Sequence, residues 1–362
     1  MVDFQIVRWR ELTPADRQAW TTFRAAQRFL SSPYFDLGWF DAVDRARGDL
    51  LVSRGTARGR AVAFLPFHPG VFGVARPAGG TFCDWHGFVA EPGLTLDVGA
   101  ALARGPAGYR FEGAPAADPG LAAHADDRDV SHMVDIADGF EAYARPQGRA
   151  APKALSNHRG AMRKLEADGR RVEFVIDDRS PETLATLMAL KSAQYRRSRH
   201  PDALSWAWSR RLIAALPEAT PESFGAVLSS MRVDGELAAA HLGLRSGGAL
   251  HYWLTTYEPK FATYAPGNVL ALEVVRGKAA DGVHEVDLGP GDYPWKRQLG
   301  NGGTELVRGL AYATSPIGRA TEAMAQAGRR WAALPVGPAA SLPRRVVGRV
   351  ERTAAQWAAA PV

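Results

Sequence analysis

The spacing of apolar and polar residues predicts two chain segments built to the same plan. In the first, the helix-like stretch WTTFRAAQRFL precedes two strands and a turn in LLVSRGTARGRAVAFLPFHPGVFGVARP. In the second, ETLATLMALKSAQYRR precedes AVLSSMRVDGELAAAHLGLRSGGALHYWLTTY, where Asp234-Gly235 and Gly247-Gly248 are favourable hairpin turns. Each meander leads to a helical run closed by glycine and then to a short strand, GYRFEGA or HEVDLG. This repetition predicts two α/β (α+β) units in tandem, each a mixed, mostly antiparallel sheet flanked by helices.

A basic helix is predicted between the two units. In APKALSNHRGAMRKLEADGRR, Ser156 or Asn157 is the candidate N-cap and Gly169 ends the pattern. Leu155, Met162 and Leu165 form a thin apolar stripe among lysines and arginines. After residue 314 the composition changes to Ala, Arg, Pro and Gly, which indicates a helical tail that serves as a docked lid, a partner-binding arm or a loose end. The predicted boundaries are therefore 1–148 and 176–314 for the units, 149–175 for the linking helix and 315–362 for the tail.

Composition narrows the class of protein. Hydrophobic residues make up 46% of the chain and charged residues 23%, as in globular proteins, and no run reaches the roughly 18 apolar residues of a membrane span. The charged N-terminal residues predict no signal peptide, so we expect a cytoplasmic protein. The single cysteine, Cys83, excludes an internal disulfide and a cysteine zinc site, and we expect no metal.

The positive charge is concentrated at one end of the chain. The net charge is +6, and residues 315–362 hold seven arginines against Glu322 and Glu351. The rest of the chain is nearly neutral, which argues against a nucleic-acid surface along the whole molecule and leaves a local anion site open.

The strand LAAAHLGL carries a candidate general base. Period-two alternation places His241 between Ala239 and Gly243 on one face, and these small neighbours leave space for a ligand. A histidine with a pKa of about 6.5 suits proton removal near neutrality. The alternative is a histidine packed in the core beneath a helix.

Pro266-Gly267-Asn268 opens a helix after a predicted strand. Unpaired N–H groups and the positive end of the dipole lie at such a start, so a pyrophosphate can bind there. The alternative is an ordinary turn with an asparagine cap.

The segment HEVDLGPGDYPWKRQLG places polar groups at a strand end. Val286 and Leu288 alternate with Asp287, and Gly289-Pro290-Gly291 then breaks the strand. Lys296 follows as a cation able to hold a phosphate or a developing oxyanion. The alternative for Lys296 is a surface lysine after a tight turn.

Together these stretches resemble a known family. TYAPGNVLALEVV and VHEVDLGPGDYPWKRQLG, preceded by DGELAAAHLGLRSGGALHYWLTTY, resemble the CelD-like acyltransferases of the GNAT superfamily, whose pattern is Ser/Ala-Pro-Gly, an apolar helix, Asp-Leu-Gly-x-Gly-Asp and aromatic-Lys. SPYFDLGWFDAV, GGTFCDWHGFV and RGAMRKLEADG look like the first-half and linker segments of that family. The resemblance implies two GNAT-like units in a FemAB-like tandem, with acyl transfer from acetyl-CoA or another acyl-CoA to an amine, plausibly an amino sugar of a bacterial exopolysaccharide such as holdfast.

The resemblance also implies roles for individual residues. The coenzyme would be held by Tyr264, Pro266, Gly267 and Asn268. The reacting end would be lined by Asp287, Tyr293 and Lys296, with His241 or Asp287 accepting the ammonium proton. The acceptor would be contacted by Asp84, His86, Arg159, Arg163 and Tyr252. The chain departs from the family where Trp295, not tyrosine, precedes the lysine, and it lacks the Gln/Arg-x-x-Gly-x-Gly/Ala phosphate loop.

Two other functions fit the same resemblance. FemAB-like relatives use aminoacyl-tRNA as donor, and a basic surface would favour that substrate. Alternatively, the chain is a binding protein for cyclic di-GMP, held by the paired arginines Arg329-Arg330 and Arg344-Arg345. The tail arginines also fit a contact with a membrane surface or with polysaccharide-synthesis machinery.

Overall fold

The computed structural model describes residues 2–145 and 152–332, and it confirms the mixed α/β architecture. The first half contains β1 (Asp3–Arg8), α1 (Pro14–Ala25), α2 (Leu37–Arg47), β2 (Leu51–Ala57), β3 (Arg60–His68), β4 (Val74–Pro77), β5 (Val89–Ala90), α3 (Val98–Leu102), β6 (Gly108–Pro115), β7 (Ala125–Asp135) and α4 (Phe140–Ala144).

The second half repeats this order. It contains α5 (Lys153–Ala167), β8 (Val172–Ile176), α6 (Pro181–Arg197), α7 (Ala207–Ala215), β9 (Gly225–Val233), β10 (Glu236–Ser246), β11 (Ala249–Tyr257), α8 (Pro266–Ala280), β12 (Glu285–Pro290), α9 (Pro294–Leu299), β13 (Gly302–Tyr312) and α10 (Pro316–Ala332). The predicted boundary at 148/149 falls outside the described residues, and the boundary at 314/315 falls between β13 and α10.

Local sequence signals set the element ends. Thr13 and Asp16 form a reciprocal capping box at the start of α1, and Ser180 accepts a hydrogen bond from Thr183 N at the start of α6. The β9–β10 hairpin turns at Asp234 and Gly235, whose φ angles of 52° and 82° are those of a type I′ turn.

The strands form one continuous sheet in which the two halves exchange their last strands. The order is β1-β2-β3-β4-β6-β13-β7-β12-β11-β10-β9-β8, and β5 pairs with β3 at its side. Strand β13, from the end of the chain, lies beside β6 of the first half, and β7 lies beside β12 of the second half. The two exchanged strands pair with each other, antiparallel, at the centre of the sheet.

A shared core joins the helices of the two halves. One hydrophobic cluster contains Trp20 and Trp39 from α1 and α2 together with Leu187 and Trp208 from α6 and α7. A second cluster lies on the other face of β9–β12, where α8 covers the sheet and is buried along most of its length. Strands β11 and β12 therefore have one face toward α8 and the other toward the first half.

Candidate active site

The sheet opens between β11 and β12. These parallel strands pair at only three positions, Ala249–Glu285, Leu250–Val286 and His251–Asp287, and then separate. Directly after His251 the register of β10 and β11 shifts, so that Gly243 stands opposite both Tyr252 and Trp253. Such bulges redirect a strand and leave backbone groups unpaired, often beside an active site.

His251 lies at the closed end of this gap, between two carboxylates. Its Nδ1 is 2.8 Å from Asp287 Oδ2, and its Nε2 is 3.0 Å from Asp84 Oδ2. Asp287 is further held by hydrogen bonds from Ser131 Oγ and from Gly289 N. Asp84 comes from the first half, Ser131 from the exchanged strand β7, and the other three residues from the second half. The structure therefore brings the two predicted aspartates together through a histidine that the sequence analysis missed.

The two carboxylates keep His251 charged. Burial alone would lower the pKa of His251, but Asp287 and Asp84 outweigh it and raise that pKa to about 9. Burial alone would raise the pKa of Asp287, but His251, Ser131 and Gly289 N hold it below its usual value. At neutral pH the group is thus an imidazolium between two carboxylates. His251 has no vacant site for a proton, whereas the Asp84 side chain is 35% exposed.

Lys296 completes the cluster. Its Nζ donates hydrogen bonds to Gly289 O at 3.0 Å and Pro290 O at 2.6 Å, and the residue is buried. Burial lowers the pKa of Lys296, and the carboxylates of Asp84 and Asp287 oppose that shift. Tyr293 is 59% exposed, and its ring centroid is 5.3 Å from Lys296 Nζ, so it stands at the outer edge of the cluster.

Gly289 lets these groups converge. Its φ is +78°, and a Cβ added there would lie 3.2 Å from Asp84 Oδ2, 3.5 Å from His251 Cε1 and 3.6 Å from Lys296 Nζ. The Gly-Pro-Gly break therefore serves close approach as well as chain reversal.

A narrow cavity lies on the α8 side of the sheet. It has a volume of about 120 Å³ and lies between α5, the start of α8 and α9, with Ala161, Asn268 and Trp295 among its lining residues. The Trp295 and Tyr252 ring centroids are 6.0 Å apart, which places Trp295 at the inner end of the cavity. Both the predicted coenzyme residue Asn268 and the predicted acceptor residue Tyr252 thus lie on the α8 side.

The start of α8 has no side-chain cap. Ala265, with φ of +48°, precedes the helix and makes no side-chain capping bond, so the expected alternative of an asparagine cap is wrong. A Cβ added to Gly267 would meet only the Tyr257 ring, at 3.8 Å, so the backbone there is open to a ligand. Tyr264 is buried, and its hydroxyl donates to Asp168 Oδ2 at 2.7 Å.

Arg159 and Arg163 do not join Asp84. They line an open groove of about 700 Å³ along α5, together with Ser156, His158, Met162, Glu166 and Arg276. Because α5 packs against α8 and α9, this groove lies on the α8 side of the sheet and not beside Asp84.

His241 lies in the core, not beneath an open space. Its ring stacks on Tyr252, with centroids 3.8 Å apart and planes 5° apart, and both ring nitrogens are buried without a hydrogen-bond partner. Burial lowers its pKa far below the ordinary value, and the positive His251 and Lys278 lower it further. The small neighbours Ala239 and Gly243 make room for the histidine itself.

His86 fastens a loop instead of facing the acceptor. Its Nε2 accepts hydrogen bonds from Glu112 N at 2.9 Å and Gly113 N at 3.0 Å, and burial lowers its pKa to about 4. In the first half, β4 and β6 correspond to β11 and β12, and they too pair in parallel only over a short stretch, at Val74–Gly108 and Ala75–Tyr109. The hydrogen bonds of His86 lie on the part of β6 beyond this stretch. The same loop carries Asp84 into the site of the second half.

The predicted regulator site is largely outside the described part of the chain. Arg330 is exposed near the end of α10, the side chain of Arg329 is not described, and Arg344 and Arg345 lie beyond residue 332. Cyclic di-GMP binding stays a prediction. Among the described residues we find no group of metal-ligating side chains and no helix long and apolar enough to cross a membrane.

Part of the chain matches a known protein family. Residues 152–297 match the family described as "Acetyltransferase (GNAT) domain", a span that contains His251, Asp287 and Lys296 but not Asp84. A search of curated protein sequences finds no match.

Among solved structures, FemX has a similar fold, and two further structures match over most of their length. FemX is similar with a TM-score of 0.56 and 11% identity, covering 84% of this chain and 96% of its own. A tandem GNAT protein from the clavulanic acid biosynthesis pathway matches with a TM-score of 0.49, 15% identity and coverage of 86% and 98%. The C-terminal domain of a putative lysylphosphatidylglycerol synthetase from Agrobacterium fabrum matches with a TM-score of 0.48, 14% identity and coverage of 86% and 94%.

Proposed function

We propose that this protein is an N-acyltransferase that moves an acyl group from acyl-CoA to an amine. The observation that carries the proposal is the Asp84–His251–Asp287–Lys296 cluster, which lies where β11 and β12 separate. Three of its residues, His251, Asp287 and Lys296, belong to the segment that matches an acetyltransferase domain, and Asp84 joins them from the first half. A gap in a sheet with a bulge, a buried cation and an accessible carboxylate supplies the groups that acyl transfer to an amine needs.

The donor and acceptor approach from opposite faces of the sheet. The acyl-CoA would lie on the α8 side, with its phosphates near the uncapped helix start at Gly267 and its acyl arm in the cavity beside Asn268 and Trp295. The acceptor amine would come from the first-half side, where Asp84 is accessible. The two would meet beside Asp84 and Lys296.

Asp84 is the group that accepts the proton of the acceptor ammonium. The free amine then attacks the thioester carbonyl carbon, and Lys296 stabilises the negative charge that develops on the carbonyl oxygen. Collapse of this intermediate breaks the carbon–sulfur bond, and the CoA thiolate takes the proton that the new amide nitrogen releases. His251 and Asp287 do not exchange protons with the substrate, but they fix the position and charge of Asp84.

The direct experiment follows the release of free CoA from acetyl-CoA by the purified chain, with glucosamine oligosaccharides as acceptors. The amino-sugar acceptor, and a role in exopolysaccharide synthesis, are proposed from the resemblance to CelD-like acyltransferases. Lys296→Ala and Asp287→Asn should each abolish most turnover. Full activity in both variants would contradict the site.

A second candidate keeps the fold and changes the donor to aminoacyl-tRNA. The observation in its favour is the open groove along α5, which presents Arg159, Arg163 and Arg276 and could hold phosphates. Binding of tRNA that weakens steeply with salt, and that is lost in an Arg159→Glu, Arg163→Glu double variant, would favour this donor. Release of CoA with an amine acceptor would favour acyl-CoA.

A further inference from the structure

Lys191 is a half-buried cation without an acidic partner. It lies on α6, its Nζ donates to Thr255 O at 3.0 Å, and it stands 5.3 Å from the Tyr195 ring centroid. No carboxylate among residues 2–145 and 152–332 forms an ion pair with it. Burial lowers its pKa to about 8, and no acid raises it again. Holding an ammonium in such a place without a counter-ion costs free energy.

Lys191 faces the same side of the gap as Asp84. Thr255 lies on the part of β11 that β12 no longer pairs with, so its carbonyl belongs to the open edge of the gap. Helix α6 packs on the face of β10 and β11 away from α8. Tyr195, one helical turn after Lys191, is close enough to Asp84 for that carboxylate to add to the effect of burial in raising the pKa of Tyr195.

From this arrangement we infer that the acceptor carries an acidic group, a carboxylate or a phosphate, in addition to its amine. Asp84 pairs with the ammonium, and Lys191 pairs with the acidic group, which supplies the counter-ion that the protein leaves out. The inference rests on the proposed N-acyltransferase function and narrows its substrate class. It makes Lys191 a specificity residue and leaves the chemical step to Asp84 and Lys296.

The test compares three acceptors that share one amine: glucosamine, glucosamine 6-phosphate and 2-amino-2-deoxyglucuronic acid. We expect wild type to prefer one of the two acidic compounds, and the better one identifies phosphate or carboxylate. Lys191→Met should raise KM for that compound by about 10- to 100-fold, the loss of one charged hydrogen bond, and change kcat/KM for glucosamine by less than about 3-fold. Lys191→Arg should restore part of the preference. The matched control is Lys153→Met, which removes an exposed lysine from the start of α5.

If Lys191→Met lowers kcat/KM equally for the neutral and acidic acceptors, the inference is overturned. A rise in the KM for acetyl-CoA alone would also overturn it, because Lys191 would then bind the donor phosphates. Calorimetry measures the binding of the same three compounds in the absence of acyl-CoA. It separates the proposed N-acyltransferase reaction from the proposed anion site at Lys191. If wild type binds the acidic compound at least about 10-fold tighter than Lys191→Met does but transfers no acyl group, the proposed reaction fails and the anion site stands. If transfer proceeds with equal binding by both proteins, the reaction stands and the anion site fails.

Discussion

His251 Nε2 lies 3.0 Å from Asp84 Oδ2, although the two residues are 167 positions apart in the chain. This contact joins the halves at the point where the sheet opens. It makes the carboxylate of the first half part of a site whose other charged groups belong to the second.

Asp84→Asn should lower kcat by about 100-fold or more, because the amide cannot accept the ammonium proton. The neutral side chain keeps the size of Asp84, so the fold should persist. Asp126→Asn, at an exposed position of β7, is the control and should match wild type. Steady-state rates of CoA release measure both. Activity within a few-fold of wild type in Asp84→Asn would assign the base elsewhere.

The free energy of unfolding should fall as pH rises from about 6.5 through about 9. The pKa of His251 is about 9 in the folded chain and about 6.5 when unfolded, so its contribution is complete below the lower value and lost above the higher one. We expect this contribution to be on the order of 3 kcal/mol, since each pKa unit corresponds to about 1.4 kcal/mol.

Urea unfolding of wild type and His251→Gln at several pH values isolates this effect. The quantity to compare is the difference in the free energy of unfolding between the two proteins at each pH. Lys191, whose pKa is lowered by burial, titrates in the same range and changes the stability in the opposite direction, and the difference cancels its effect. His124→Gln, which removes an exposed histidine, is the control. A difference that stays constant between pH 6 and 10 would contradict a charged His251.

Gly289→Ala should reduce activity far more than Gly282→Ala. Both glycines have left-handed φ angles, +78° and +74°, so both substitutions carry the same backbone cost of about 1 kcal/mol. The methyl group at position 289 would enter the cluster, 3.2 Å from Asp84 Oδ2. The methyl group at position 282 would have no neighbour within 4 Å. Thermal unfolding and turnover of the two variants should show similar stability and different rates. Equal rates would show that the cluster tolerates displacement.

Ala161→Phe should raise the KM for acetyl-CoA by about 10-fold or more, because the new ring would fill much of the 120 Å³ cavity that reaches Trp295. The acceptor KM should change little, since that substrate approaches from the other face. Ala167→Phe places the same ring at an exposed position of the same helix and serves as control. An unchanged donor KM would exclude this cavity as the donor channel.

The tail helix α10 should bind anionic vesicles. Ile317 and Met324 are 70% and 75% exposed and lie seven residues apart, hence on one helical face, and Arg319 and Arg330 are also exposed. Met324→Glu should weaken co-sedimentation with phosphatidylglycerol vesicles at least several-fold. Gln326→Glu adds the same charge on the polar face and should weaken it less. Equal binding to neutral vesicles, or no binding, would remove the membrane contact.

The sequence analysis singled out Asp287 and Lys296, which the structure brings together, but it missed His251 between the two aspartates. Asp287 and Lys296 were recognisable because a period-two strand stops at Gly-Pro-Gly before a lysine. His251 was missed because its strand, ALHYWLTTY, is mostly apolar and aromatic. A local signal existed, since a histidine interrupts that apolar run, but its meeting with Asp287 depends on the parallel register of β11 and β12. His241 was preferred for its small neighbours, which in fact accommodate its own stacking on Tyr252.

The duplicated plan was predictable, because each half repeats its hydrophobic pattern locally. The exchange of β7 and β13 was not, since a strand's pattern shows which face is buried and not which neighbour it pairs with. Asp84 likewise reaches His251 only through a loop whose anchoring by His86 is a tertiary contact.

The crossing of β7 and β13 makes the halves inseparable. If the chain were divided between the two halves, the first-half fragment would lack β13 and the second-half fragment would lack β7. Each fragment would expose unpaired strand edges, which favour aggregation. Each half is therefore needed to complete the sheet of the other, whatever ligand it binds itself.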